Sequence, residues 1–202
     1  DECGNNLPEL IESGKILTQA KLLPIPPTES ILMLNKRQLQ LAWVRYSFIQ
    51  SGYAHSQKNG PFFVCRNIAQ PMVAISKMLK KPPILSYDAY TLYNWKRRDP
   101  GGPIKVDNLE LIQTFLNHSQ HPYQAWFILI HVEIEALAGT AVRNIREAVL
   151  AAEREDDAML ESALINIDSV LDEILKTMKR MTEGTAPETY HLIRRWIMYF
   201  EN

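Results

Sequence analysis

The chain has 202 residues, 22 Lys and Arg against 23 Asp and Glu, a net charge of −1 and 46% hydrophobic side chains. That is enough apolar material for one large core or two modest ones, while basic residues gather only in short clusters such as Lys96-Arg97-Arg98, too small for a nucleic-acid footprint. Cys3 and Cys65 lie far apart without metal-ligand spacing, so free thiols in a reducing cytosol are expected.

Residues 7–23 carry apolar positions at helical spacing, and PIPP at 24–27 then forces an extended turn, because proline removes a donor and constrains its predecessor. The stretch 35–57 reads as an amphipathic helix, broken by KNGPFF at 58–63. A helical segment follows over 67–81, then the extended KPPIL, then a short helix over SYDAYTLYNWKRRD (86–99) that stops at DPGGP. VDNLELIQTFLNH (106–118) reads as a helix or as an irregular segment with helical turns.

The second half has a different texture. Residues 122–151 and 153–181 are long helical patterns, the latter with Leu160, Leu164, Ile167, Leu171, Ile174 and Met178 at i+3/i+4 spacing, as in bundle helices. GTAP at 184–187 ends that run, and PETYHLIRRWIMYF begins another helix with proline near its first turn. No β-alternation of useful length is present, so the expected class is all-α, with a small N-terminal helical domain over 1–118 and the first helices of a larger bundle over 119–202. His131, Glu133 and Glu135 interrupt the most apolar run before it reaches the roughly 18 to 20 residues of a membrane span. With no basic-then-apolar leader either, a cytoplasmic protein without a membrane partner is expected. A chain that starts at Asp1 and stops after WIMYFEN reads as a piece of a longer protein.

Within AWFILIHVEIEALAG (125–139), a helix places Phe127, His131, Glu135, Ala138 and Val142 on one face, with Gly139 and Ala141 nearby. Small residues beside an aromatic and a histidine let a flat molecule approach the backbone. The competing reading is a core histidine bonded to a neighbouring carboxylate. Glu188 and His191 form a single Glu-x-x-His, and without a second copy they make no di-iron site.

The segments LPELIESG (7–14), KKPPILSYDAYTLYNWKRRDPGGPI (80–104) and FILIHVEIEALAGTAV (127–142) together resemble the indoleamine 2,3-dioxygenase family. That resemblance implies a helical haem-binding bundle for the second domain, haem b with its iron as cofactor, and O₂ as co-substrate. It implies tryptophan or a related indoleamine as the small-molecule partner and N-formylkynurenine as the product. Tyr87, Tyr90 and Thr91 match the segment lining the indole side of the distal pocket, and Phe127 matches an aromatic that packs on the substrate ring. Aligned without a gap, His131 falls where the mammalian indoleamine enzymes carry a serine. Related tryptophan 2,3-dioxygenases use a distal histidine to bond the indole nitrogen, and the resemblance implies that catalytic, haem-facing role for His131. Aligning on VEI instead brings Leu129 to the pocket and turns His131 away.

IRRWIMYF resembles the family's arginine-bearing helix, where a guanidinium pairs with the substrate carboxylate; Arg194 and Arg195 compete for that position. Met178 falls where the family has a haem-contacting side chain, plain core being the other reading. No histidine here stands in surroundings matching the proximal iron ligand, which is expected beyond residue 202. The chain alone is therefore expected neither to hold haem firmly nor to turn over, and a non-catalytic haem-binding or interaction protein of the same fold is the alternative.

Overall fold

The computed structural model describes residues 7–58 and 63–197. Cys3, Met198, Tyr199 and Phe200 lie outside the described residues, and Cys65 is a free thiol.

The chain is helical, with one small sheet. Short helices α1 (Leu7–Glu12), α2 (Ile16–Gln19) and α3 (Thr28–Leu32) divide the first thirty residues. Helix α4 (Lys36–His55) starts at Asn35, whose side chain accepts from the Gln38 N–H while the Gln38 side chain accepts from the Asn35 N–H. This reciprocal cap satisfies two donors that a helix start leaves open. Leu39, Trp43, Val44, Ser47 and Phe48 then recur at the helical period on the buried side. Helix α5 (Arg66–Leu79) ends at Lys80, which adopts a left-handed φ of 55°.

Residues 86–118 depart from the helical expectation. Asp88–Leu92 forms one wide helical turn, after which β1 (Trp95–Arg97) pairs antiparallel with β2 (Leu109–Leu111). Three-residue strands contain too little alternation to stand out in a sequence. Asn108 ties the connecting turn by donating to the Asp99 and Pro103 carbonyls and accepting from the Asp99 N–H. Lys81 anchors the start of this region: it pairs with Asp88, and its Nζ lies 4.3 Å from the Trp43 ring centroid and 4.2 Å from that of Tyr93.

Helices α6 (Tyr123–Glu153) and α7 (Asp157–Lys179) form a long antiparallel pair, α7 being capped by Asp156. By length and composition α6 is also apolar enough to cross a membrane, contrary to the sequence reading; 39% of that apolar window is buried within the protein. The short α8 (Met181–Gly184) and α9 (Tyr190–Ile197) complete the described chain. Of the apolar row read on α7, Leu164, Leu171 and Met178 are exposed, as are Val142, Ile145 and Val149 on the far half of α6.

Two apolar clusters organise the interior. The first stacks Phe48 on Phe115 (centroids 4.6 Å) and Phe115 on Trp196 (5.0 Å), and it includes Ile128 and Ile193, so its packing crosses residue 118. Each such fully buried side chain contributes about 1.5–3 kcal/mol. Ser51 Oγ donates to the Trp196 carbonyl at 3.1 Å, which seats α9 against α4. The second cluster joins Val106 and Leu109 to Ala125, Leu129 and Val132. Helix α6 is thus the wall between them.

Candidate functional site

On α6, Ala125 and Leu129 face the second cluster, and Phe127 and His131 project from the opposite side. There they meet the turn that carries Tyr87, Tyr90 and Thr91, and these five residues, with Leu85, Ser86 and Ile197, line a pocket of about 200 Å³. Leu129 is absent from this lining; it is buried against Val106 and Leu109.

His131 Nδ1 lies 2.7 Å from the Phe127 carbonyl oxygen. A carbonyl only accepts, so Nδ1 carries the proton, and in the neutral ring Nε2 is left as an acceptor. The neighbouring carboxylates are engaged elsewhere. Glu135 Oε1 accepts from the Tyr87 hydroxyl at 2.9 Å. Buried Glu133 accepts from the Val106 N–H (2.7 Å) and the Thr177 hydroxyl (3.3 Å), joining α6 to the turn before β2 and to α7. The partner of the histidine is therefore the backbone and not a carboxylate.

Aromatic rings frame the rest of the pocket. Phe127 lies 4.7 Å from the His131 ring and 5.5 Å from Tyr190, centroid to centroid. Tyr90 stacks on Phe48 (5.8 Å), and burial holds its phenol well above the ordinary value. Gln124 Nε2 donates to the Tyr90 oxygen at 3.5 Å, and its Oε1 accepts from the Phe115 and Leu116 N–H groups. Thr91 is buried in the pocket lining. Burial and the bond to Glu135 raise the Tyr87 phenol, whereas Asp88 next to it is held below the usual carboxylate range: burial alone would raise it, but Lys81, Ser86 and the Ala89 N–H outweigh that.

The remaining candidates lie apart. Arg194 and Arg195 are both exposed on α9. Arg195 sits over the Trp196 ring at 4.5 Å, while Arg194 shares a side of the helix with Tyr190 and Ile197. Met178 is 51% exposed on α7, on the open face of the hairpin. His191 Nδ1 lies against the Glu188 carbonyl, so the Glu-x-x-His pair is a local helix contact. Sequence reasoning missed Ser86, Ile197 and the Tyr87–Glu135 bond. The helical offset of seven from Tyr190 to Ile197 was the one available signal for Ile197, and Glu135 stood on the His131 face without a visible partner.

The site is a largely apolar, aromatic-walled pocket on a helical scaffold, with Tyr87, Thr91 and His131 among its lining residues. Compared with known proteins, the chain matches the indoleamine 2,3-dioxygenase family over residues 1–202. It is 31% identical to indoleamine 2,3-dioxygenase 1 of Rattus norvegicus over 195 residues, covering 95% of this chain and 47% of that protein. It is 30% identical to indoleamine 2,3-dioxygenase 2 of Homo sapiens over 193 residues (94% and 46%), and 27% identical to a 6-hydroxytryptophan 2,3-dioxygenase of Fusarium equiseti over 170 (82% and 41%). The chain belongs to the indoleamine 2,3-dioxygenase family. It spans about half the length of the curated relatives it matches.

Proposed function

We propose that the complete protein is a haem-dependent dioxygenase that inserts O₂ into the indole ring of L-tryptophan or a related indoleamine, giving N-formylkynurenine. In this reading the present 202 residues form the side that holds the indole. The observation that carries it is the state of His131: Nδ1 is engaged by the Phe127 carbonyl, which leaves Nε2 as the ring's acceptor, and the residue lines the pocket beside an aromatic wall.

The indole N–H would donate to His131 Nε2, and the Phe127 ring would lie against the indole. Tyr87 and Thr91 would bound its other edge, and Arg194 or Arg195 would pair with the substrate carboxylate. Holding the ring in one orientation is the contribution of these residues; proton chemistry is not required of them. The residues present do not by themselves enclose a haem. A pocket of about 200 Å³ is below the roughly 300–1,000 Å³ of ordinary small-molecule sites, and it suits a bicyclic ring, not a macrocycle. Haem and its iron ligand would be held by the remainder of the protein, packed on the exposed apolar row of α6 and α7 that includes Val142, Leu164, Leu171 and Met178.

The test is an optical titration of haem into this chain and into a form extended to the length of its relatives, with and without tryptophan. A histidine-ligated Soret band that appears only in the extended form and shifts with tryptophan supports the reading. An extended form that binds no haem refutes it and leaves an interaction protein of the same fold.

A further inference from the structure

The segment that leads into the His131 pocket is fixed before it arrives there. Lys80 ends α5 in the left-handed conformation, and the Lys81 N–H donates to the Ser76 carbonyl at 3.0 Å, closing the last turn of that helix. Pro82 and Pro83 then pass along α4, where Trp43 Nε1 donates to the Pro82 carbonyl at 3.4 Å and Gln50 Nε2 to the Pro83 carbonyl at 2.9 Å.

The Lys81 side chain reaches from this segment to the wide turn that carries the pocket residues. Its ammonium pairs with Asp88 at the start of the turn and lies 4.2 Å from the ring of Tyr93, which follows it, with the fully buried Trp43 ring as a third contact. Asp88 also accepts from the Ser86 hydroxyl and, at 3.1 Å, from the Ala89 N–H, and its carbonyl accepts from the Tyr93 N–H at 2.9 Å. One cation therefore meets both ends of the turn whose Ser86, Tyr87, Tyr90 and Thr91 line the pocket with Phe127 and His131. The Lys81 and Asp88 side chains are only 19% and 29% exposed, so a neutral residue at either position would leave the other charge partly desolvated without its partner. Lys81 itself is not among the residues lining the pocket.

We propose that Lys81 is a positioning residue for the indole pocket. Through Asp88 and Tyr93 its ammonium sets where the turn stands against α6, and so where Tyr87, Tyr90 and Thr91 meet the ring of the substrate. The substrate named here rests on the dioxygenase reading; the clamp rests on the geometry of residues 81–93. A staple that served folding alone would cost stability and leave substrate capture untouched, and kinetics separate the two.

Steady-state kinetics at varied tryptophan and amide hydrogen exchange are measured on the full-length protein. Lys81→Met, which keeps the side-chain length and loses the charge, should raise KM about tenfold with kcat within about twofold of the parent, because a displaced pocket wall loosens capture. Asp88→Asn should act in the same direction and stands in should Lys81→Met unfold. The double variant should be no worse than Lys81→Met, because the two side chains act as one pair. Lys81→Arg, whose guanidinium keeps the charge and stacks on aromatic rings, should restore most of the affinity. The Tyr90 and Tyr93 amides, which close the turn, should exchange faster in Lys81→Met and Asp88→Asn than in the parent, while those of residues 128–132 keep their protection. Unchanged KM in both single variants, additive effects in the double, or unchanged exchange at Tyr90 and Tyr93 would each overturn the assignment. A parent protein that binds haem yet turns over no tryptophan would refute the dioxygenase reading instead, and the exchange comparison would still decide the clamp.

Discussion

The Tyr87 hydroxyl donates to Glu135 Oε1 across 2.9 Å, joining residues 48 positions apart at the edge of the His131 pocket. Burial and this bond raise the phenol, and burial raises Tyr46 and Tyr90 in the same direction. A tyrosine whose folded value is raised stays protonated when the unfolded chain has begun to ionise, near pH ~10. Stability is then complete below about pH 10 and declines as pH rises above it, because the unfolded state releases protons first. Denaturant midpoints measured across that range should fall with pH, and Tyr87→Phe should flatten the decline. An identical slope in the variant would assign the loss to other groups.

If the proposed function holds, His131→Ala in the full-length protein should raise the Michaelis constant for tryptophan about three- to tenfold, the effect of one neutral hydrogen bond. Haem content should be unchanged, since in the proposed reading His131 holds the indole and the iron ligand lies in the remainder of the protein. An unaltered constant with normal haem loading would put His131 outside the substrate's reach.

Replacing both adjacent arginines, Arg194→Leu with Arg195→Leu, should raise the same constant about ten- to a hundredfold while the fold survives, because both guanidiniums are exposed. The single variants then assign the contact. Arg195 already stacks on Trp196, whereas Arg194 stands on the side shared with Tyr190 and Ile197. Steady-state kinetics at varied tryptophan would decide it, and a double variant with wild-type kinetics would remove both residues from the mechanism.

Gly184→Ala sets two effects against each other. Alanine favours a helix over glycine by about 1 kcal/mol, but a Cβ at this position would lie 2.4 Å from Cγ of Trp126. That ring cannot easily retreat: Nε1 donates to the Arg180 carbonyl at 2.9 Å, and the Arg180 guanidinium lies 5.3 Å above it. The clash should win, with a net loss of about 1–3 kcal/mol and a lower Tm. A variant as stable as the parent would show that the indole moves freely.

Much of the helical fold was legible in the chain. Helices α4, α6 and α7 follow from apolar spacing, since residues three or four positions apart share a face within one element. The 86–118 region was not legible. Its wide turn, its three-residue strands and the Asn108 ties depend on partners brought together by closure of the chain, and Trp95–Arg97 alone carries no pattern that separates strand from helix.

By itself the sequence determined an all-helical chain of this family, the common face of Phe127 and His131, and the cluster of Tyr87, Tyr90 and Thr91, because each rests on spacing within a single element or a local motif. Only the tertiary structure decided that those two groups face one another, that His131 is held by a backbone carbonyl while Glu135 is taken by Tyr87, and that Trp196 of the last helix stacks on Phe115. A side chain with several nearby acceptors has no preferred partner until the whole chain has packed, and the packing that makes the choice is the sum of contacts distant in sequence.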